Sequence, residues 1–224
     1  WGWATGIGWR DEVYRRYTNA EVARFEAPAG SLPWVYRSRR IEQNTHATKS
    51  FGWAKKNDLS LGLQLIKDDY TVRDEALRDP EVVGAFKRAA VPVGEGRTSP
   101  FFQWRTYRND FIRIVDFETL SLQEDYRLGY DVVLRGYPVV RALGSNRDVA
   151  GLRAAGTYTV AMGDGFVRGL LDTVTEAEPH RIADASVTGE LRAVSPRTPV
   201  GRVVFDVTAT HRWRNYLNRL SFVG

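Results

Sequence analysis

The chain lacks cysteine, and it has only one methionine and three histidines among its 224 residues. The absence of cysteine excludes disulfide frameworks, thiolate metal sites and cysteine nucleophiles. The three histidines, His46, His180 and His211, have no spacing that is typical of a zinc motif. No run approaches the roughly 18 apolar residues that a membrane-spanning helix needs. We therefore expect neither a metal nor a cofactor.

Charge of one sign is not concentrated in any part of the sequence. Lysine and arginine number 32 against 27 aspartate and glutamate residues, which gives a formal net charge of +5. The basic residues are interleaved with acidic ones, a pattern typical of a solvated surface rather than of a nucleic-acid interface. We therefore expect no nucleic-acid partner, whereas an anionic lipid head group would fit the basic excess.

What the sequence does contain is a strict alternation of residue types. Between 183 and 193 apolar or small residues hold every second position, and polar or charged residues lie between them. The same alternation recurs at 59–65, 127–135, 152–160 and 203–212. A period of two indicates β-strands with two unlike faces. Such strands also explain how a low mean hydropathy of −0.38 can accompany 7 Trp, 10 Tyr and 10 Phe.

Breaks at Gly, Pro, Asn and Asp divide the chain into ten predicted strands. They are 3–14, 19–27, 35–54, 58–71, 101–122, 126–138, 151–162, 165–177, 181–194 and 201–213. Short connections alternate with longer ones, notably 72–100, which contains a helical candidate at about 73–90. Barrels of the bacterial outer membrane have short periplasmic turns and long outer loops. The predicted fold is therefore all-β, an antiparallel up-and-down transmembrane β-barrel of the cell outer membrane, with 72–100 as a long outer loop.

The order of short and long connections bears on completeness. The first and the last predicted hairpins both carry short turns, at 15–18 and 196–201. A complete barrel of this class has both ends in the periplasm, so its first hairpin carries an outer loop. We therefore expect residues 1–224 to form a single barrel segment that is incomplete at both ends.

Charged residues on the predicted strands alternate with the apolar ones and would line the lumen, where cross-strand ion pairs form. The predicted lumen-facing charges are Arg127, Asp131, Arg135, Arg153, Asp184, Glu190, Arg192, Asp206 and Arg212. Aromatic residues lie mostly near predicted strand ends, where interfacial girdles are found. These residues are Trp1, Trp3, Trp9, Trp34, Trp53, Trp104, Trp213 and Tyr216.

Three groups of polar residues leave an enzymatic alternative open. His46 shares a strand face with Thr48 and Ser50, as the His–Ser pair of an outer-membrane lipid hydrolase would. Asp68-Asp69 lies at a strand end, like the acidic groups of outer-membrane proteases. The segment 116–118, Asp-Phe-Glu, puts two carboxylates on one face. Polar neighbours of these kinds are common on solvated strands, so no catalytic residue is predicted.

The residues at 211–224, HRWRNYLNRLSFVG, resemble the segment that leads into the Arg-Gly-Phe/Tyr loop of the bacterial surface antigen family. In these outer-membrane assembly and secretion barrels, the Arg-Gly tip folds back into the lumen. The resemblance implies a barrel of about sixteen strands, about ten of them in this chain. It also implies insertion or translocation of proteins, with outer-membrane lipid and unfolded outer-membrane or secreted proteins as partners. The tip would follow Gly224, so the resemblance assigns no functional residue here.

Three other interpretations stay open. A passive porin-like or solute-transport barrel would show a constricting loop and paired charges in the lumen. An outer-membrane enzyme would need histidine and carboxylate or serine groups that converge in space. A soluble β-sandwich would need inward faces bulkier than Ala183, Ala185 and Gly189.

Overall fold

The computed structural model describes residues 1–115, 117 and 122–216, and its fold is all-β, as predicted. The strands are β1 (Gly2–Arg15), β2 (Tyr17–Thr18), β3 (Glu21–Val22), β4 (Arg24–Ala27), β5 (Gly30–Pro33), β6 (Val35–Phe51), β7 (Lys55–Val72), β8 (Glu95–Arg108), β9 (Asp110–Val115), β10 (Gln123–Val139), β11 (Val149–Met162), β12 (Gly165–Glu178), β13 (Arg181–Val194) and β14 (Val204–Asn215). The described part of the chain also contains an α-helix, α1 (Pro80–Ala90), and 3-10 turns at Glu75–Leu77 and Arg141–Leu143.

Most strands form one antiparallel up-and-down sheet. Its order is β1-β6-β7-β8-β10-β11-β12-β13-β14, and β9 pairs with β10 outside this path. Within the described residues, β1 and β14 each have a neighbour on one side only, so the sheet is not closed into a barrel. We call the end that carries the turns 52–54 and 163–164 the short-turn end. The opposite, long-connection end carries 16–34, 73–94 and 140–148.

The predicted strand 19–27 is wrong. Residues 17–33 form two small hairpins, β2–β3 and β4–β5, and β1 pairs directly with β6. Asn19 and Ala20 adopt positive φ angles between β2 and β3, which turns the chain back after two residues. The first connection of the sheet is therefore the long one, 16–34, and the short first turn expected at 15–18 is not found. Consequently β1 begins at the short-turn end, whereas a short first turn at 15–18 would put the start of the chain at the long-connection end.

The predicted strand 101–122 is also wrong, because the chain forms two strands there. β8 begins at Glu95 and ends at Arg108, and β9 then folds back against the first part of β10. Gly129 has a φ of 75° where β10 changes partner from β9 to β8. A residue with a Cβ atom rarely adopts this positive φ, so the bend favours glycine. The long connection expected at 72–100 shortens to 73–94.

A small hydrophobic cluster covers the long-connection end. α1 starts after its N-cap Asp79, whose side chain accepts a hydrogen bond from the Glu81 N–H at 2.8 Å. The helical candidate at 73–90 is thus confirmed over 80–90. The helix packs against the β4–β5 hairpin and the ends of β6 and β7; the buried residues are Leu32, Tyr36, Val72, Val82, Val83, Phe86, Ala90 and Val91. No described helix is long and apolar enough to cross a membrane.

The β9–β10 hairpin covers the short-turn end in a similar way. Ile114 of β9 packs against Phe166 of β12 and Val194 of β13, and all three are almost inaccessible to solvent. Because β9 adjoins β10 in the sheet order, this contact reaches across β11. The hairpin therefore folds over one face of the sheet.

Candidate functional site on the polar face

The strand register assigns each residue to one of two faces, because directly paired residues point to the same side of a sheet. Leu61 pairs with Ala47 and Phe102, and Phe102 pairs with Gly136. We call the face of this row the apolar face. It includes Trp3, Ile7, Trp9, Ile41, Leu59, Leu61, Leu63, Leu65, Phe102, Trp104, Val132, Leu134, Leu152, Tyr158, Val160, Leu171, Val187, Leu191, Phe205 and Val207.

The apolar face is exposed over its whole width. Ile7 on the first strand is 79% exposed, Leu61 is 66% exposed and Leu171 is 55% exposed. Charged residues lie toward the strand ends, for example Lys49 and Lys67, and none lies on this face between Tyr130 and Gly136 of β10 or on the paired parts of β11, β12 and β13. An apolar patch of this extent marks a surface that contacts lipid or another protein.

The tryptophans divide between the sheet and its connections. Trp3, Trp9 and Trp104 lie on the apolar face, and Trp213, in the register shift of β14, stacks on His211 of that face. Trp34, a predicted girdle residue, does not lie there, because it packs edge-on against Phe86 of α1 with ring centroids 5.9 Å apart. A girdle at the remaining positions stays a prediction.

All nine charges predicted to face the lumen lie on the opposite, polar face. Several are brought together in pairs. Arg105 donates to Asp131 from Nε at 2.8 Å, and Arg127 lies 3.6 Å from the same carboxylate. Whether this face lines a lumen stays a prediction.

Other members of the nine pair across neighbouring strands. Arg153 donates to Asp172 at 3.1 Å, and Arg192 lies 3.7 Å from Asp206. Arg212 lies 3.7 Å from Asp184. The two remaining residues contact polar or apolar groups instead: Arg135 donates to Gln64 at 2.8 Å and stacks on Phe101 at 3.7 Å, and Glu190 lies opposite Leu170 and Thr208.

Four buried side chains form a closed arginine–glutamate ring at the long-connection end of the polar face. Arg147 donates to Glu95 at 2.8 Å and to Glu176 at 2.7 Å. Arg97 lies 2.9 Å from Glu176 and 3.6 Å from Glu95. The glutamate side chains are 2% exposed and those of the arginines 7–8%. Each carboxylate thus contacts both guanidinium groups, and the four charges sum to zero, as a buried ionic cluster requires.

The ring fixes a connection onto the sheet. Arg147 belongs to the connection 140–148, where the Asn146 N–H donates to the Gly96 carbonyl at 2.9 Å. The Thr98 N–H donates to the Ser145 hydroxyl, also at 2.9 Å. Burial lowers the pKa of Arg147, but Glu95 and Glu176 oppose it, so that the pKa lies above its ordinary value. Arg147 is therefore charged throughout the ordinary pH range, and the loop is held over the polar face.

Two glycines let aromatic rings lie flat on the same face. A Cβ atom at Gly151 would lie 2.1 Å from Cε2 of Tyr137, and one at Gly62 would lie 2.5 Å from Cζ of Phe101. Gly151 is paired directly with Tyr137, and Gly62 with Phe101. In each pair the aromatic ring covers the backbone that the glycine leaves exposed. The Tyr137 hydroxyl donates to Glu176 at 2.9 Å, which ties this ring to the arginine–glutamate ring.

The residues behind the enzymatic alternative are engaged in separate contacts. His46 Nδ1 lies 3.3 Å from Asn44 Oδ1, whereas the Thr48 hydroxyl bonds to that of Ser60 at 2.7 Å. Asp68 is paired with Arg40 at 3.3 Å. The carboxylates at 116 and 118 lie outside the described residues. Within the described chain, no three His, Asp or Glu side chains group as metal ligands.

Sequence reasoning missed the arginine–glutamate ring. The sequence pattern puts Glu95, Arg97 and Arg147 in connections and Glu176 near the end of the predicted strand 165–177. The partners are far apart in sequence, with Glu95 and Arg147 separated by 52 positions and Arg147 and Glu176 by 29. The sequence does contain one signal for the ring: Glu95 and Arg97 are two positions apart, which puts both side chains on one face of an extended segment.

No model of a known protein family, no curated protein and no solved structure matches the chain.

Proposed function

We propose that the chain is the lipid-embedded sheet of an outer-membrane β-barrel, with the polar face toward the interior. The exposed apolar face carries this proposal. It is uncharged along the middle of four neighbouring strands, and on β11 it runs from Ala150 to Met162, about 41 Å at roughly 3.4 Å per residue. A strand tilted by about 35–45° covers about 29–33 Å of that length along the membrane normal, which is enough for the apolar band of about 25 Å in such barrels.

The activity we propose is insertion or translocation of outer-membrane or secreted proteins. Its support is the resemblance of residues 211–224 to the lead-in of the Arg-Gly loop. Of that segment, 211–216 are described, with β14 ending at Asn215 and Tyr216 following it; residues 217–224 lie outside the described residues. The polar face would guide the client chain, and outer-membrane lipid would surround the apolar face.

A second candidate is passage of solutes, because two features of the polar face favour it. The connection 140–148 is bound over this face by Arg147, in the manner of a constricting loop. Cross-strand pairs such as Arg153–Asp172 and Arg105–Asp131 supply paired charges beside it. Loops and charged rings of this kind set the selectivity of channels.

Adjacent leucines on opposite faces give a matched test of the lipid-facing surface. Leu171 lies on the apolar face between Gly156 and Gly189, whereas Leu170 lies on the polar face opposite Thr157 and Glu190. We expect Leu171→Arg to destabilise the chain in lipid vesicles by about 2–4 kcal/mol, the cost of arginine at the bilayer midplane. Leu170→Arg should cost less, because it gains Glu190 as a neighbour. Guanidinium unfolding of both variants in vesicles measures the difference, and equal losses would refute lipid contact at Leu171.

A second experiment distinguishes insertion of proteins from passage of solutes. Vesicles that contain the chain are given an unfolded outer-membrane protein, and its folding rate is compared with that in empty vesicles. Faster folding is the outcome expected of an insertion component. Equal rates together with ion conductance across planar bilayers would overturn it in favour of solute passage.

A further inference from the structure

A second site lies on the polar face, away from the arginine–glutamate ring. A cavity of about 520 Å³ sits near the short-turn end, lined by residues of β8, β10, β11 and β12. Four of its side chains are arginines, Arg105, Arg127, Arg153 and Arg168, and one is a carboxylate, Asp131. The cavity is therefore rich in guanidinium N–H donors.

Three of the four arginines are already engaged. Arg105 and Arg127 share Asp131, and Arg153 pairs with Asp172 beside the cavity. Arg127 also stacks on Tyr107 with its Cζ 4.0 Å from the ring centroid. These contacts hold the side chains in place without satisfying every donor: Nη1 of Arg127 is buried and lies 3.6 Å from Asp131, beyond hydrogen-bond distance, and it has no hydrogen-bond acceptor among the described residues.

Arg168 differs from the other three. It has no ion pair, hydrogen bond or aromatic contact with any described residue, and its Nε atom is buried. Its direct neighbours in the ladder are Thr159, which is 6% exposed, and Arg192. Two like charges directly opposite each other are destabilising, and a buried N–H without an acceptor costs free energy as well. An anion next to Arg168 would offset the repulsion between Arg168 and Arg192, and it would accept a hydrogen bond from the buried Nε–H.

The covering of the cavity favours a small ligand. Tyr126 of the β9–β10 hairpin lines it and stacks on Phe166 with ring centroids 4.7 Å apart. The hairpin is fixed over the sheet by Ile114 and Val194. Thr157 and Thr159 add hydroxyl groups to the lining. The donors thus surround a partly covered space, which suits a tetrahedral oxyanion that accepts several hydrogen bonds at once.

We propose that this cavity binds a small oxyanion such as phosphate or sulfate. Arg168 is its principal ligand, Arg127 and the threonine hydroxyls complete the shell, and Asp131 limits affinity because it occupies Arg105 and Arg127. The site lies on the face opposite to the proposed lipid contact. The anion site therefore does not depend on whether the membrane proposal is correct.

The test is titration of the whole 224-residue chain, folded in detergent micelles at low ionic strength, with inorganic phosphate. Calorimetry should give one saturable site, and the ¹⁵N resonance of the Arg168 Nε–H should shift with the same dissociation constant. Arg168→Gln should weaken binding at least about tenfold, and Arg168→Lys less, because lysine keeps the charge but not the planar fork. Arg10→Gln, at a 66% exposed arginine on β1, is the control and should bind as the parent does.

Asp131→Asn provides a variant whose effect cannot arise from misfolding. It frees Arg105 and Arg127, so phosphate should bind more tightly by several-fold. The proposal is overturned if no saturable binding occurs, if Arg168→Gln binds as the parent chain does, or if Arg10→Gln loses as much affinity as Arg168→Gln. Unchanged or weaker binding by Asp131→Asn in a folded chain would also overturn it.

Discussion

Replacing Glu176 with alanine would leave two buried arginines with one carboxylate between them. Glu176 accepts hydrogen bonds from Arg147 at 2.7 Å and from the Tyr137 hydroxyl at 2.9 Å, and it lies 2.9 Å from Arg97. Its side chain is 2% exposed, so water cannot readily replace the lost acceptor. Removing one partner of a buried ionic pair costs about 3–5 kcal/mol. We expect a loss of free energy of unfolding in that range.

The control is another glutamate of the same strand. Glu178 pairs with Arg181, whose side chain is 61% exposed, so Glu178→Ala should change stability far less. Both variants and the parent chain are unfolded in guanidinium in the same detergent, and tryptophan fluorescence reports the transition. The midpoint of Glu176→Gln should lie between those of the parent chain and Glu176→Ala, because the amide keeps an acceptor but loses the charge. Equal midpoints for Glu176→Ala and Glu178→Ala would refute the role given to the ring.

Two further predictions concern a close contact and a turn. Gly151→Val should destabilise the chain by about 1–3 kcal/mol because its Cβ atom would overlap the Tyr137 ring, whereas a Cβ atom at Gly169 has no neighbour within 4 Å, so Gly169→Val should cost less. Denaturant midpoints of the two variants measure the difference. At the β11–β12 turn, the Arg197 N–H and then the Arg202 guanidinium lower the pKa of Asp164 below its usual value. The stability this carboxylate contributes is therefore present above its unfolded-state pKa and is lost as pH falls through the lower folded-state pKa. A carboxyl ¹³C titration by NMR should show the low pKa, and Arg202→Gln should raise it; an unshifted carboxyl would contradict the contact.

The alternation of residue types was enough to predict the two faces of the sheet. Ala185, Val187 and Gly189 lie on one face of β13, and Asp184 and Glu190 lie on the other, as the sequence period requires. The prediction succeeds because successive side chains of a strand point to opposite sides of the sheet, so the local order of residues decides the face of each. The fold class followed from the same local signal.

The errors arose where distant residues decide the structure. The segment 19–27 reads as a strand, but Phe25 packs against Phe86 of α1 with ring centroids 5.3 Å apart, and that contact belongs to the connection rather than the sheet. The arginine–glutamate ring joins residues from three separate parts of the chain. Pairing of this kind leaves no periodic trace in a sequence, because each partner alone looks like an ordinary polar residue near a strand end.

Arg97 and Glu176 also have a geometric consequence. They belong to β8 and β12, which are three strand steps apart, or about 14 Å in a flat sheet. Their side chains lie 2.9 Å apart, so this one ion pair reaches over β10 and β11 on the polar side of the sheet. It links two strands of the described sheet that are not hydrogen-bonded neighbours.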